Sequence, residues 1–237
     1  MNDAPDEPDR LPGAPHPRET AALFGQAADE AEVLAALAAG RPHHAWLLTG
    51  PRGVGKATLA WRIARRLRAG APFDSLEMAP DAPVFRRLAA RADPQVFLVR
   101  RPWDDKAKRL RSAIGVEEIR ALRAALQLSA PEGDWRVAIV DAADELTPQA
   151  ANALLKTLEE PPAGAALILV ANRPGALLPT VRSRCRELRL RPLGPEDLAR
   201  ALAAAGGDPG GAEALAALSG GSVGEALRLA AIDAPAL

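Results

Sequence analysis

Cysteine occurs once in this 237-residue chain, at Cys185. A single thiol excludes an internal disulfide and any multi-cysteine zinc site, and a reducing compartment is its simplest setting. Net charge is also missing: 30 acidic residues cancel 30 basic ones. No overall positive field therefore announces nucleic acid, and a DNA contact would need a local patch. Lysine is confined to Lys56, Lys106, Lys108 and Lys156. No apolar run approaches the roughly 20 residues that span a bilayer. The N-terminus is acidic and proline-rich, whereas a signal peptide is basic and then apolar. These absences predict a soluble, cytoplasmic protein without a membrane partner. Trp46, Trp61, Trp103 and Trp135 are scattered and lack the interleaved basic residues of a base-stacking platform. They read as packing residues.

The length suits one large domain with a small appendage. Residues 1–17 carry five prolines and little that could be buried, which predicts a mobile tail. Helical spacing of apolar residues starts at Ala28 and runs to Ala39, with Gly40 placed as a cap. Mostly apolar runs at 45–49, 96–99, 136–140 and 166–171 predict strands covered on both faces. Helices are expected at 56–68, 116–127 and 149–158, the last stopped by Glu160-Pro161-Pro162. Residues 186–190 read as a closing strand, and residues 69–94 as irregular. Alternating strands and helices imply an α/β fold with a parallel sheet. The boundaries that follow are 1–17 for the tail, 18–191 for the α/β domain, 192–232 for a small helical domain and 233–237 for the C-terminal end. The Pro192-Leu193-Gly194-Pro195 linker opens the helical domain, whose helices are expected at 196–205, 211–218 and 223–231.

The strongest local chemistry lies between the first strand and the helix after it. Gly50-Pro51-Arg52-Gly53-Val54-Gly55-Lys56-Ala57-Thr58 has glycines that let backbone NH groups close around phosphates, and a lysine to reach the β and γ oxygens. This is a near-complete Walker A loop, with Gly50, Pro51, Gly53, Val54, Gly55, Lys56, Ala57 and Thr58 as candidate nucleotide contacts. Ala57, however, stands where a Ser or Thr hydroxyl ligates Mg²⁺. Thr58 points about 100° away around the helix and replaces it poorly. The run 136–141 ends in Asp141, the carboxylate of a Walker B strand.

Two further stretches carry a resemblance. Ala150-Ala151-Asn152-Ala153-Leu154-Leu155-Lys156-Thr157-Leu158-Glu159-Glu160-Pro161-Pro162 and Ser183-Arg184-Cys185 resemble the gamma, tau and delta-prime group of bacterial DNA polymerase III clamp-loader subunits. These are AAA+ P-loop proteins. The resemblance runs from about Pro17 to Arg228. It implies a parallel-sheet AAA+ domain followed by a helical lid, and it makes Arg184 a finger supplied in trans to a neighbour's ATP. It also implies a γ-phosphate sensor at Asn172, although a turn-forming role before Arg173-Pro174 explains that residue equally well. The AAA+ class places a catalytic glutamate after Asp141 and a sensor arginine in the lid, where this chain has Ala142 and Gly224. Asp144 and Glu145 would have to bend back to serve.

The losses at 57, 142 and 224 point to the non-hydrolysing member of the group, binding ATP or ADP without efficient turnover, and without zinc. Its implied partners are the gamma/tau motor subunits, the delta subunit, the sliding clamp and, through the assembly, primed DNA. Its implied work is to help load the clamp in DNA replication. The rival readings are an active gamma/tau-like ATPase and a P-loop interaction module outside the clamp loader. The family's third, helical collar domain is expected to be missing, since the chain reaches only Leu237. Arg100, Arg101, Lys106, Lys108, Arg109 and Arg111 form the one basic cluster, read as a solvated face or a phosphate contact. Lys156 faces DNA or is structural. His43, His44 and Cys185 read as structural residues.

Overall fold

The computed structural model describes residues 7–11, 14–39, 43–127, 134–208 and 210–233; Gly40, expected as a cap, lies outside them. In chain order the elements are α1 (Ala27–Ala38), β1 (Ala45–Thr49), α2 (Lys56–Ala69), α3 (Pro83–Ala89), β2 (Val96–Val99), the short β3 (Trp103–Asp104) and β4 (Arg109–Leu110), and α4 (Val116–Gln127). They continue with β5 (Arg136–Asp141), α5 (Pro148–Glu159), β6 (Ala165–Ala171), the single turn α6 (Pro179–Arg182), β7 (Arg186–Arg189), α7 (Pro195–Ala204), α8 (Ala212–Ser219) and α9 (Val223–Asp233).

Five strands form one sheet in the order β2-β5-β6-β1-β7, with every neighbouring pair parallel. Side chains alternate between its faces with period two. Trp46, Leu48, Val137, Ile139, Ile168 and Val170 meet α1, α2 and the lid helix α7 on one side. Leu47, Ala138, Val140, Leu167 and Leu169 meet α4 and α5 on the other. Burial on both faces is why these strands read as unbroken apolar runs. The two sheet edges differ: β2 offers half-buried Val96, Phe97 and Leu98, whereas β7 exposes Arg186, Glu187 and Arg189.

Local chemistry sets the ends of α5. Thr147 Oγ1 accepts from Ala150 N at 3.2 Å and Pro148 opens the helix. Glu160-Pro161-Pro162 then halts it. Thr147→Ala removes the cap acceptor and is expected to cost about 1 kcal/mol of unfolding free energy, measurable by urea titration.

Three expectations change. Residues 69–94 are not wholly irregular, because Pro83 opens the seven-residue helix α3, which buries Phe85 and Leu88. One short turn of apolar spacing is too little to signal a helix in sequence. The closing strand stops at Arg189, one residue before its expected end. The tail expected over 1–17 is not free at its described positions either. His16 is fully buried, with Nε2 3.4 Å from both Glu7 Oε2 and Asp9 Oδ2. Arg18 donates to Glu7 at 2.9 Å, and Arg100 pairs with Glu7 at 3.1 Å and also with Asp9. Its polar composition suggested disorder, but its carboxylates have the half-buried Arg18 and Arg100 to meet.

Candidate functional site

The C-terminal ends of parallel strands are where ligands bind in open α/β sheets, and the sequence-selected residues meet there. Residues 50–55 link the end of β1 to the start of α2, Asp141 ends β5, and Asn172 follows β6. Residues 52–58, Asp141 and Asn172 line a cavity of about 450 Å³ that also involves the lid through Leu193, Val223 and Gly224, while Gly50 and Pro51 lie outside its lining. Glycine is required in the loop: Gly50 sits at φ 137°, and a Cβ there would come within 2.4 Å of Leu190 O. Gly55, at φ 104°, gives the chain its turn into α2.

The lid is fastened to this loop. Val223 N donates to Gly53 O at 3.1 Å, and a Cβ on Gly53 would meet Ser222 Oγ at 2.0 Å. Gln26, 2% exposed, donates to Val54 O at 3.2 Å and Arg191 O at 2.8 Å, and accepts from Arg191 N at 3.2 Å. It joins the start of α1, the loop and Arg191, the residue before the linker. Sequence reasoning passed over Gln26, since a lone glutamine before a helix carries no motif.

Lys56 is 3% exposed and donates to Gly50 O at 2.8 Å and to Pro51 O. Burial lowers its ammonium to about 8, against the opposing pull of Asp141 and Asp144. Burial also raises Asp141 to about 7, and the nearby Asp9 carboxylate adds to this while Lys56 opposes it. Because the folded value lies above the ordinary 3.8, the stabilisation that Asp141 contributes is complete in acid and is lost as pH rises through about 7. An Asp141→Asn variant does not titrate. Its melting temperature, followed against pH, is expected to gain on the wild type between about pH 4 and 7 and then hold its lead.

The remaining candidates lie as follows. Ala57 and Thr58 are half-buried at the start of α2, and Ala142 is buried. Asp144 is committed elsewhere, accepting from Asn172 N at 2.9 Å and Arg173 Nε at 3.2 Å. Glu145 pairs with Arg101 at 2.9 Å. Arg184 is apart from the cavity lining; its half-exposed guanidinium donates to Thr180 O at 3.0 Å and pairs with Glu159 at 2.8 Å. Lys156 is exposed on α5.

His43 and His44 stack at 4.6 Å, and His44 Nε2 lies 3.0 Å from Leu158 O. Cys185 is half-buried, its thiol raised to about 12 by burial and then by Glu187. The basic cluster is dispersed, since Arg100 and Arg101 are paired as above and Arg111 lies 3.8 Å from Asp104. Lys106, Lys108 and Arg109 carry no ion pair among the described residues.

A magnesium nucleotide does not fit this arrangement as it stands. Ala57 offers no ligand oxygen, Lys56 is turned onto its own loop, and Pro8, Asp9 and Leu11 share the cavity wall. Sequence reasoning missed those three residues, which it had assigned to a free tail.

Fold and loop together define a P-loop domain of the AAA+ class. A Thermotoga maritima RuvB Holliday junction branch migration motor matches this fold with a TM-score of 0.57 and 21% identity, covering 91% of this chain and 64% of that one. The family model described as DNA polymerase III, delta subunit, matches residues 26–194, and the chain belongs to that clamp-loader family. The DNA polymerase III subunit delta' of Pseudomonas aeruginosa is 36% identical over 191 residues, 78% of this chain and 55% of its own. The subunit gamma/tau of Mycobacterium tuberculosis is 34% identical over 196 residues, 79% of this chain and 31% of its own. The chain thus spans about half the length of the first of these relatives and a third of the second.

Proposed function

We propose that this chain is a delta-prime-like, non-hydrolysing clamp-loader subunit. In replication it would act in the cytoplasm beside gamma/tau motor subunits and the delta subunit, helping to place the sliding clamp on primed DNA. It would supply Arg184 to a neighbour's ATP. A single contrast carries the reading: the chain's own loop lacks catalytic groups at Ala57, Ala142 and Gly224, while Arg184 stands half-exposed outside that pocket.

Phosphoryl transfer depends on prearranged charge around the γ-phosphate. A Mg²⁺ ligand, a glutamate to orient water and a sensor cation are all wanting here. Asp144 and Glu145, the substitutes that an active gamma/tau-like ATPase would require, are held by Asn172, Arg173 and Arg101. A guanidinium suits work in trans, because it stays charged and offers several donors in a planar fork.

The test is ATP hydrolysis, stimulated by clamp and primed DNA, by motor and delta subunits reconstituted with this chain. Lys56→Ala is expected to leave the assembled rate within about twofold of wild type. A drop of tenfold or more would mean that this chain turns over ATP itself.

A further inference from the structure

We infer that the P-loop pocket has a peptide ligand, the chain's own segment Glu7-Pro8-Asp9-Arg10-Leu11, which competes with nucleotide for the site. Pro8, Asp9 and Leu11 line the same cavity as Lys56 and Asp141. The inference rests on the silent-site reading in one respect, that natural use of the pocket does not require bound ATP.

Volume gives the first argument. Leu11 packs on Gly224, where a Cβ would come within 2.1 Å of Leu11 Cδ1 and 3.2 Å of Cγ. Any side chain at 224, a sensor arginine included, would have to shift the Leu11 side chain from its present seat. Glycine at this position therefore does more than delete a phosphate contact, since it makes the seat for an apolar anchor.

Charge gives the second. The Asp9 side chain is 1% exposed and pairs with Arg100, with His16 Nε2 at 3.4 Å. Glu7 is held by Arg18 at 2.9 Å and by Arg100 at 3.1 Å. Breaking one partner out of a buried ion pair is costly, so the segment is latched in place. Asp9 also brings a carboxylate to the wall of a pocket where polyphosphate needs positive charge. Lys56, the buried P-loop cation that would help to offset this, is bonded to Gly50 O and Pro51 O. A nucleotide must therefore displace Leu11, overcome the Asp9 carboxylate and recover the lysine.

The probe is Mg-ADP titrated calorimetrically into the whole chain. Wild type is compared with Leu11→Gly, which removes the anchor, and with a Glu7→Gln/Asp9→Asn double variant, which removes the latch. Each variant is expected to bind ADP at least tenfold more tightly than wild type, and amide exchange at residues 7–11 of the wild type should quicken when ADP saturates it. Equal affinities in all three proteins, or no binding by any of them, overturn the inference, as does unchanged exchange in the ADP-saturated wild type. A thermal melt of each variant separates loss of fold from loss of binding. ATP turnover by wild type at a motor-like rate would sink the silent-site reading, whereas equal ADP affinities without turnover sink the peptide ligand alone.

Discussion

Arg184→Ala is expected to lower ATP hydrolysis at the neighbouring motor site by about 10³-fold or more, the scale of arginine fingers supplied in trans. The fall in the total rate then reports how much of the turnover passes through that one site. The prediction is clean because Arg184 does little for its own fold. Its pair with Glu159 joins side chains that are 36% and 47% exposed, and exposed pairs of this kind contribute about 1 kcal/mol at most. Alanine there should leave the melting curve nearly unmoved while the assembly loses rate. Arg184→Lys should not restore the rate, because a point charge cannot reproduce a planar fork. Single-turnover hydrolysis by the reconstituted complex checks both variants. An unchanged rate with Arg184→Ala would remove the finger from the account and leave a chain that acts by shape alone.

The second large effect concerns stability. Arg65→Ala is expected to cost about 3 kcal/mol, combining a cavity with acceptors left unpaired. Arg65 is 1% exposed in the middle of α2, and burial lowers even its guanidinium to about 10, with Arg62 adding to the shift. It meets no carboxylate among the described residues. It donates instead to Arg18 O at 2.9 Å and to Thr20 O at 3.0 and 3.1 Å, and lies 4.0 Å over the Phe85 ring. One side chain thus fixes the backbone at residues 17–20 against both α2 and α3. Urea unfolding of the variant measures the cost. A loss below about 1 kcal/mol would mean that this anchor is dispensable and that the chain leading to the pocket is held by other contacts.

Sequence patterns located the sheet because each central strand is covered on both faces, so that runs such as Leu167-Ile168-Leu169-Val170 had one reading. They located the phosphate loop because glycine spacing and a terminal lysine form a local pattern. What escaped them depends on contacts distant in sequence. Arg100 and Arg101 looked like part of a basic patch, yet their partners are Glu7, Asp9 and Glu145. Asp144 could serve catalysis only by bending back, and nothing in the sequence showed its actual partner, the backbone at Asn172, 28 residues away. Gln26 and Leu11 belong to no motif, and only the folded chain brings them to the loop. Gly224 read as a deletion, and its second meaning appears when Leu11 is seen against it.

The unlike rims of the sheet bear on how the chain behaves in concentrated solution. A bare strand edge is a template on which another molecule's strand can pair, and natural sheets guard such edges with charge. Arg186, Glu187 and Arg189 give β7 that guard, with Arg186 also pairing to Glu32 at 2.7 Å. On the β2 side, where Val96, Phe97 and Leu98 give no such protection, Arg100 and Arg101 follow directly in the chain. Among the described residues the charged guard thus lies on the β7 rim, since Arg100 and Arg101 are held by Glu7, Asp9 and Glu145, and the neutral balance of the whole chain says nothing about this asymmetry.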